Sequence, residues 1–160
     1  SLMSESAQYA MAEAIVPEPV EVTRVAAAAA ADYRGLSQRR IEFVCEAPVS
    51  ALGSEAALDT VVRHLIENAV RHTPETGRME VAARQVAGGV EVVVSDDGPG
   101  ISDGVELFTP FVKGTGSAGH GLGLHVVRTL VEAMGGTVVG RNSETGPGAE
   151  FVVTLRGAPA

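Results

Sequence analysis

Val92-Val93-Val94-Ser95-Asp96-Asp97-Gly98-Pro99-Gly100-Ile101 is an apolar run that leads directly into an acid-bearing turn punctuated by glycine. Gly98 and Gly100 allow backbone angles that a side chain would forbid, and Pro99 stiffens the turn between them. Asp96 is thereby presented at a strand end beside bare backbone, a place to hold a planar ligand that donates hydrogen bonds. About twenty residues further on, Gly119-His120-Gly121-Leu122-Gly123-Leu124 opens an apolar helical run. The N–H groups at a helix start attract phosphate. The residues thus predict one turn that reads a base and a second that holds its phosphates.

The surrounding pattern predicts an α/β protein, a two-layer sandwich with a mixed sheet and helices on one face. Ser54 caps the strongest helix, with Glu55 in its first turn. Leu58, Val61, Val62, Leu65, Ile66, Ala69 and Val70 form its apolar stripe, which leaves His64, Asn68 and Arg71 on a shared flank. Thr73-Pro74 ends it. A helix is also expected from Val20 to about Leu36, and another from Leu122 to Met134, stopped by Gly135-Gly136. Strands are expected over Arg40–Glu46 (Ile41, Phe43 and Cys45 on one face), Val49–Leu52, Met79–Val86, Val90–Ser95, Thr137–Arg141 and Ala149–Leu155. Gly88-Gly89 marks a hairpin between the third and fourth of these.

Residues 1–16 are small, acidic and alanine-rich, and are read as a disordered linker or cloning remnant outside the fold. The domain proper is placed at 17–156, with 157–160 as a frayed tail. At 160 residues the chain makes one domain with a real core. A net charge of −8 with Lys113 as the sole lysine argues against a nucleic-acid surface. No stretch reaches the length of a membrane span, so no membrane contact is expected. The single cysteine, Cys45, cannot form an internal disulfide and is read as a core filler, in keeping with a cytoplasmic setting.

Taken in order, these parts resemble the catalytic ATP-binding domain of bacterial sensor histidine kinases, within the ATPase superfamily that includes gyrase, Hsp90 and MutL. His64-Leu65-Ile66-Glu67-Asn68-Ala69-Val70-Arg71-His72-Thr73-Pro74 is similar to the N box of that family, and Asp96 to Ile101 to its first glycine box. Leu107-Phe108-Thr109-Pro110-Phe111-Val112-Lys113 is similar to its F box and Gly119 to Leu124 to its second glycine box. The resemblance implies a Bergerat-type fold that binds ATP and Mg²⁺. It implies Asn68 as the Mg²⁺ ligand through its amide oxygen, Asp96 as acceptor of the adenine amino hydrogen, and Arg71 and Lys113 as phosphate-facing cations. The nucleotide site it outlines is Asn68, Arg71, His72, Asp96, Gly98, Gly100, Ile101, Phe111, Lys113, Gly119, His120, Gly121, Leu122, Gly123 and Leu124, with Phe108 and Phe111 packing a lid whose moving part is Lys113 to Gly119.

Three departures from the family pattern bear on function. Hydrolysing relatives carry Glu one helical turn before the Mg²⁺ asparagine, and histidine kinases usually carry a second Asn; this chain has His64. Glu67, adjacent to Asn68, points about 100° around the helix and is a poor substitute base. Gly53-Ser54 replaces the Gly-Asp common at the start of the N-box helix, and Gly148-Ala149-Glu150-Phe151 replaces Gly-Thr-x-Phe, which removes a hydroxyl near the adenine. No histidine carries the phosphoacceptor motif, and His125 reads as structural.

The resemblance therefore implies a monomeric donor of the ATP γ-phosphoryl group. Its partners would be a histidine on a separate dimerisation domain of the parent protein, and downstream of it a response regulator. No residue of this chain is assigned as a catalytic base or nucleophile. The alternative is a degenerate nucleotide sensor, or an anti-sigma-like partner-binding module without kinase activity.

Overall fold

A computed structural model describes residues 5–37, 39–101, 120–144 and 146–158, with the side chains of residues 5 and 120–122 excepted. Its elements are α1 (Glu5–Ala14), β1 (Glu18–Glu21), α2 (Val22–Arg34), β2 (Arg40–Val44), β3 (Ser50–Gly53) and α3 (Glu55–His72). They continue with β4 (Arg78–Val86), β5 (Gly89–Asp96), α4 (His120–Ala133), β6 (Thr137–Asn142) and β7 (Ala149–Arg156). Five strands form a mixed sheet in the order β2-β4-β5-β7-β6, in which only the β2–β4 pair is parallel. Helices α2, α3 and α4 pack on one of its faces, so the expected two-layer α/β sandwich is what the chain forms.

Strand alternation decides which residues enter the core. Met79, Val81 and Ala83 of β4, Val90, Val92 and Val94 of β5, and Phe151, Val153 and Leu155 of β7 are all buried. They meet the stripe Leu58, Val61, Val62, Leu65, Ile66 and Ala69 of α3 and Val126, Val127, Leu130 and Val131 of α4. Asp96 ends the buried row of β5, so the register that fills the core also turns its carboxylate inward at the strand end.

Local chemistry sets the helix ends. Ser54 lies in extended backbone (φ −129°, ψ 128°), and its hydroxyl accepts a bond from the Ala57 N–H at 3.2 Å. Gly53 before it is small because Met134 covers it; an added β-carbon would lie 2.9 Å from the Met134 sulfur. Helix α4 stops in a Schellman motif, with Gly135 at φ +84°, its N–H on Glu132 O and the Gly136 N–H on Val131 O.

Four expectations change. Residues 5–14, read as linker, form α1, which packs on α4 with Tyr9, Met11 and Ala12 against the core and Gln8 buried. Sparse apolar periodicity hid this helix, because its docking uses one aromatic and one amide in place of an aliphatic stripe. Glu18–Glu21 forms a strand paired antiparallel with β3, Val20 opposite Ala51, and the helix begins only at Val22; the extended backbone that Pro19 favours runs further than expected. Cys45 lies past the end of β2 and is half-buried, its thiol donating to Ala47 O at 2.9 Å, so it does not fill the core. Gly157 bridges Ala51 and the Ala158 N–H bonds Ser50 O, which ties down the start of the expected frayed tail.

Replacing Leu65, fully buried on α3, by Ala should cost about 3 kcal/mol, and Ser54→Ala about 1 kcal/mol, in chemical denaturation. Equal small losses from the two would contradict this placement of the core and the cap.

Candidate functional site

The site grows from the end of β5. The Asp96 Oδ1 atom accepts the Gly98 N–H at 2.9 Å and the Ala149 N–H at 3.4 Å. Neither bond uses Oδ2, which makes no hydrogen bond with another described residue. The side chain is 9 % exposed, and burial raises its pKa above the ordinary carboxylate value. The Gly98 and Ala149 amides and nearby His72 pull in the opposite direction without cancelling it.

The turn that follows has glycine where three chain segments cross. A β-carbon on Gly98 would lie 2.3 Å from the carbonyl oxygen of His72, and one on Gly148 would lie 1.8 Å from the carbonyl oxygen of Asp96. Gly100 takes φ +87°, a conformation that side chains rarely adopt. The end of α3, the Asp96 turn and the β6–β7 connection therefore touch backbone to backbone. Asn142 locks the turn from β6: its Oδ1 accepts the Ile101 N–H at 2.6 Å, and its amide nitrogen donates to Ile101 O at 3.2 Å. Asp97 faces the other way and accepts the Arg78 N–H at 3.0 Å, which anchors the turn to β4.

On α3, His64, Asn68 and His72 follow one another at i, i+4 and i+8 and share a face. Asn68 is 5 % exposed, and its amide makes no side-chain hydrogen bond with another described residue. An amide so placed, with no partner among the described residues, is available to a ligand. Arg71 and His72 are exposed in the last turn, where positive charge suits the helix C-terminus. At the other end of the face, the Nδ1 edge of His64 approaches Gly123 in the first turns of α4, 3.7 Å from where a β-carbon would stand. Leu124, the next residue, is buried in the core.

The structure thus brings Asp96, Gly98, Gly100, Ile101 and His72 together at the C-terminal end of α3, and Gly123 beside His64, two turns back along the same helix. Phe111, Lys113 and Gly119, with Phe108 of the expected lid, lie outside the described residues; His120, Gly121 and Leu122 are described as helix backbone only. Sequence reasoning missed Asn142, whose clamp joins residues 41 positions apart, and the backbone role of Ala149. It also missed Tyr33, whose hydroxyl bonds the Glu67 carboxylate. That bond holds Glu67 toward α2, in line with its expected direction away from Asn68. His125 lies with its ring 5.8 Å from that of Tyr9, a packing role.

A magnesium–nucleotide complex fits the chemistry of these residues on two counts: the Asn68 amide has no hydrogen-bond partner among the described residues, and the Oδ2 atom of Asp96 makes no hydrogen bond with another of them. Among the described residues no cluster of three or more His, Cys, Asp or Glu could bind a metal by itself. An ion here would be held by Asn68 together with phosphate and water oxygens.

Because its folded-state pKa lies above the unfolded value, Asp96 favours folding while protonated and subtracts stability as pH rises through that window. Asp96→Asn should therefore leave thermal stability at neutral pH unchanged or raised, with the gain vanishing in acid. Loss of more than about 1 kcal/mol at neutral pH would contradict the buried-charge assignment.

Residues 53–159 match the family described as histidine kinase-, DNA gyrase B- and HSP90-like ATPase. The chain is 41% identical over 114 residues to the sensor protein DivL of Caulobacter vibrioides, covering 69% of this chain and 15% of that protein. It is 35% identical over 157 residues to the histidine-protein kinase/phosphatase MprB of Mycolicibacterium vanbaalenii, covering 91% and 32%. The chain therefore spans about a third or less of the length of these relatives. Among solved structures, it superposes on a mycobacterial sensor histidine kinase MprB with a TM-score of 0.75 at 28% identity, covering 91% of this chain and all of that one. Full-length ShkA in complex with AMPPNP gives a TM-score of 0.80 at 28% identity, covering 98% and 35%. The fold, the ordered motifs and a family match over two thirds of its length place this chain among the histidine kinase-, DNA gyrase B- and HSP90-like ATPases, as a homologue of sensor histidine kinase ATPase domains.

Proposed function

We propose that this domain binds Mg·ATP and donates the γ-phosphoryl group to a histidine on a separate dimerisation domain of its parent protein, which then passes it to a response regulator. The observation that carries the reading is the pairing of a backbone-anchored Asp96 with a nearly buried Asn68 whose amide has no hydrogen-bond partner among the described residues. Homology to sensor histidine kinases supports the same direction. ShkA, one of these relatives, was solved in complex with AMPPNP, an ATP analogue.

Asp96 Oδ2 accepts the amino hydrogen of adenine; guanine would present a carbonyl at that position and set two acceptors against each other. Gly98 and Gly100 let the base approach the backbone without a side chain in the way. Asn68 supplies an amide oxygen to Mg²⁺, which, when bound, neutralises phosphate charge. Arg71 adds a cation at the exposed end of α3, with His72 beside the base end of the site. Lys113, Phe111 and the glycine-rich segment up to Gly119 belong to this site by family resemblance.

Two carboxylate or imidazole groups that could activate water are already engaged. Glu67 is bonded to Tyr33, and His64 accepts from the Gln8 amide at 3.1 Å. Burial further lowers the pKa of His64, which keeps the ring neutral. These contacts favour a phosphoryl donor whose nucleophile comes from elsewhere over an independent hydrolase, so the chemistry is positioning and charge neutralisation. A cytoplasmic site of action follows from the substrate proposed.

Supplied with the dimerisation domain of its parent protein and Mg·[γ-³²P]ATP, the chain should label the acceptor histidine. Asn68→Ala should lower the rate by about 100-fold or more. Steady ATP hydrolysis without an acceptor would contradict the donor reading, as would unchanged labelling by Asn68→Ala.

A further inference from the structure

Gln8 is the unexpected member of the core. It stands on α1, outside the matched family region, yet is only 3 % exposed. A buried amide is costly unless bonded, and its side-chain nitrogen lies 3.1 Å from Nε2 of His64. With the amide nitrogen as donor, Nε2 accepts and the ring proton sits on Nδ1, the edge that approaches Gly123 of α4. Leucine at position 8 would pack similarly but leave Nε2 without its donor. The neighbouring Tyr9 packs its ring at a tilt against His125 of α4, centroids 5.8 Å apart, so α1 contacts both helices through a histidine on each.

The placement of His64 gives this contact a consequence. It lies one turn before Asn68 on the same face of α3, and its Nδ1 edge is turned toward Gly123 near the start of α4, so its ring stands between these two elements. On the nucleotide reading above, they are the two walls of the phosphate end of the site.

We propose that Gln8 is a positioning residue for the nucleotide site: by fixing the His64 ring through Nε2, it sets the spacing between Asn68 on α3 and the start of α4. Helix α1 is then a working part of the ATP-binding unit, and displacing it loosens the phosphate end. This inference rests on the Mg·ATP reading of the site.

The test compares the full chain with Gln8→Met, which keeps length and apolar packing but removes the donor, and with Gln8→Ala. Long-range ¹H–¹⁵N spectra should show the His64 ring as a single Nδ1–H tautomer in the wild type and as a tautomer mixture in both variants. Affinity for a fluorescent ATP analogue with Mg²⁺ should fall about fivefold to tenfold in each, and by nothing further when the same changes are made in a His64→Ala background. Unchanged affinity in Gln8→Met, or an equal loss in the His64→Ala background, would overturn the proposal. Asn68→Ala measured alongside separates the two ideas: if it abolishes binding while Gln8→Met does nothing, only the positioning role falls. If Asn68→Ala binds normally, the nucleotide reading falls and takes this inference with it.

Discussion

A carboxylate buried at a strand end must be held by something other than water, and in this domain the holding is done by backbone. Asp96 takes one amide from its own turn, at Gly98, and one from the neighbouring strand, at Ala149. Both reach the same oxygen. This arrangement requires β5 and β7 in one register, Ser95 opposite Glu150, and requires the turn to fold back onto the end of α3. The contact with the His72 carbonyl admits no β-carbon at Gly98, and the contact with the Asp96 carbonyl admits none at Gly148. The motif glycines are therefore consequences of one acid being carried inward while its backbone is crowded by two other segments.

From that point the rest of the site follows along α3. The helix buries its aliphatic stripe against the sheet and turns the His64, Asn68 and His72 face elsewhere. The Asp96 turn adjoins one end of that face, and Gly123 of α4 lies beside His64 at the other. The side chains flanking Asn68 are committed to protein partners, Glu67 to Tyr33 and His64 to Gln8. Among the described residues, Asn68 has no such partner. Among the described residues, the side chains nearest Asn68 that could act as a base are thus held by α1 and α2.

The parts of this account that were legible in the sequence are those whose physics is local. The cap at Ser54, the stop at Gly135-Gly136, the alternation in β4 and β5 and the Asp96 turn each involve residues within a few positions of one another. Their placement in the structure matches, with element ends shifted by a residue or two. The hairpin loop, for instance, is Ala87-Gly88, with Gly89 already paired to Val86. What escaped was non-local or compositionally plain. Asn142 looks like any turn residue until the fold brings it to Ile101, and Ala149 looked like a deficit because its side chain lacks a hydroxyl, while its N–H contributes. Helix α1 escaped because an alanine-rich, acidic segment carries no strong apolar stripe; it docks through Gln8 and Tyr9, whose partners stand on α3 and α4. The family resemblance carried the assignment of Asn68, since one asparagine on a helix has no distinguishing local signal.

The central claim is that Asp96 reads a purine while Asn68 steadies the ion on its phosphates. Crystals of the chain grown with Mg²⁺ and a non-hydrolysable ATP analogue test it most directly. The account predicts the adenine amino nitrogen within hydrogen-bond distance of Asp96 Oδ2 and an ion about 2.1 Å from the Asn68 amide oxygen. A base lodged away from the end of β5, or an ion with no contact to α3, would contradict it.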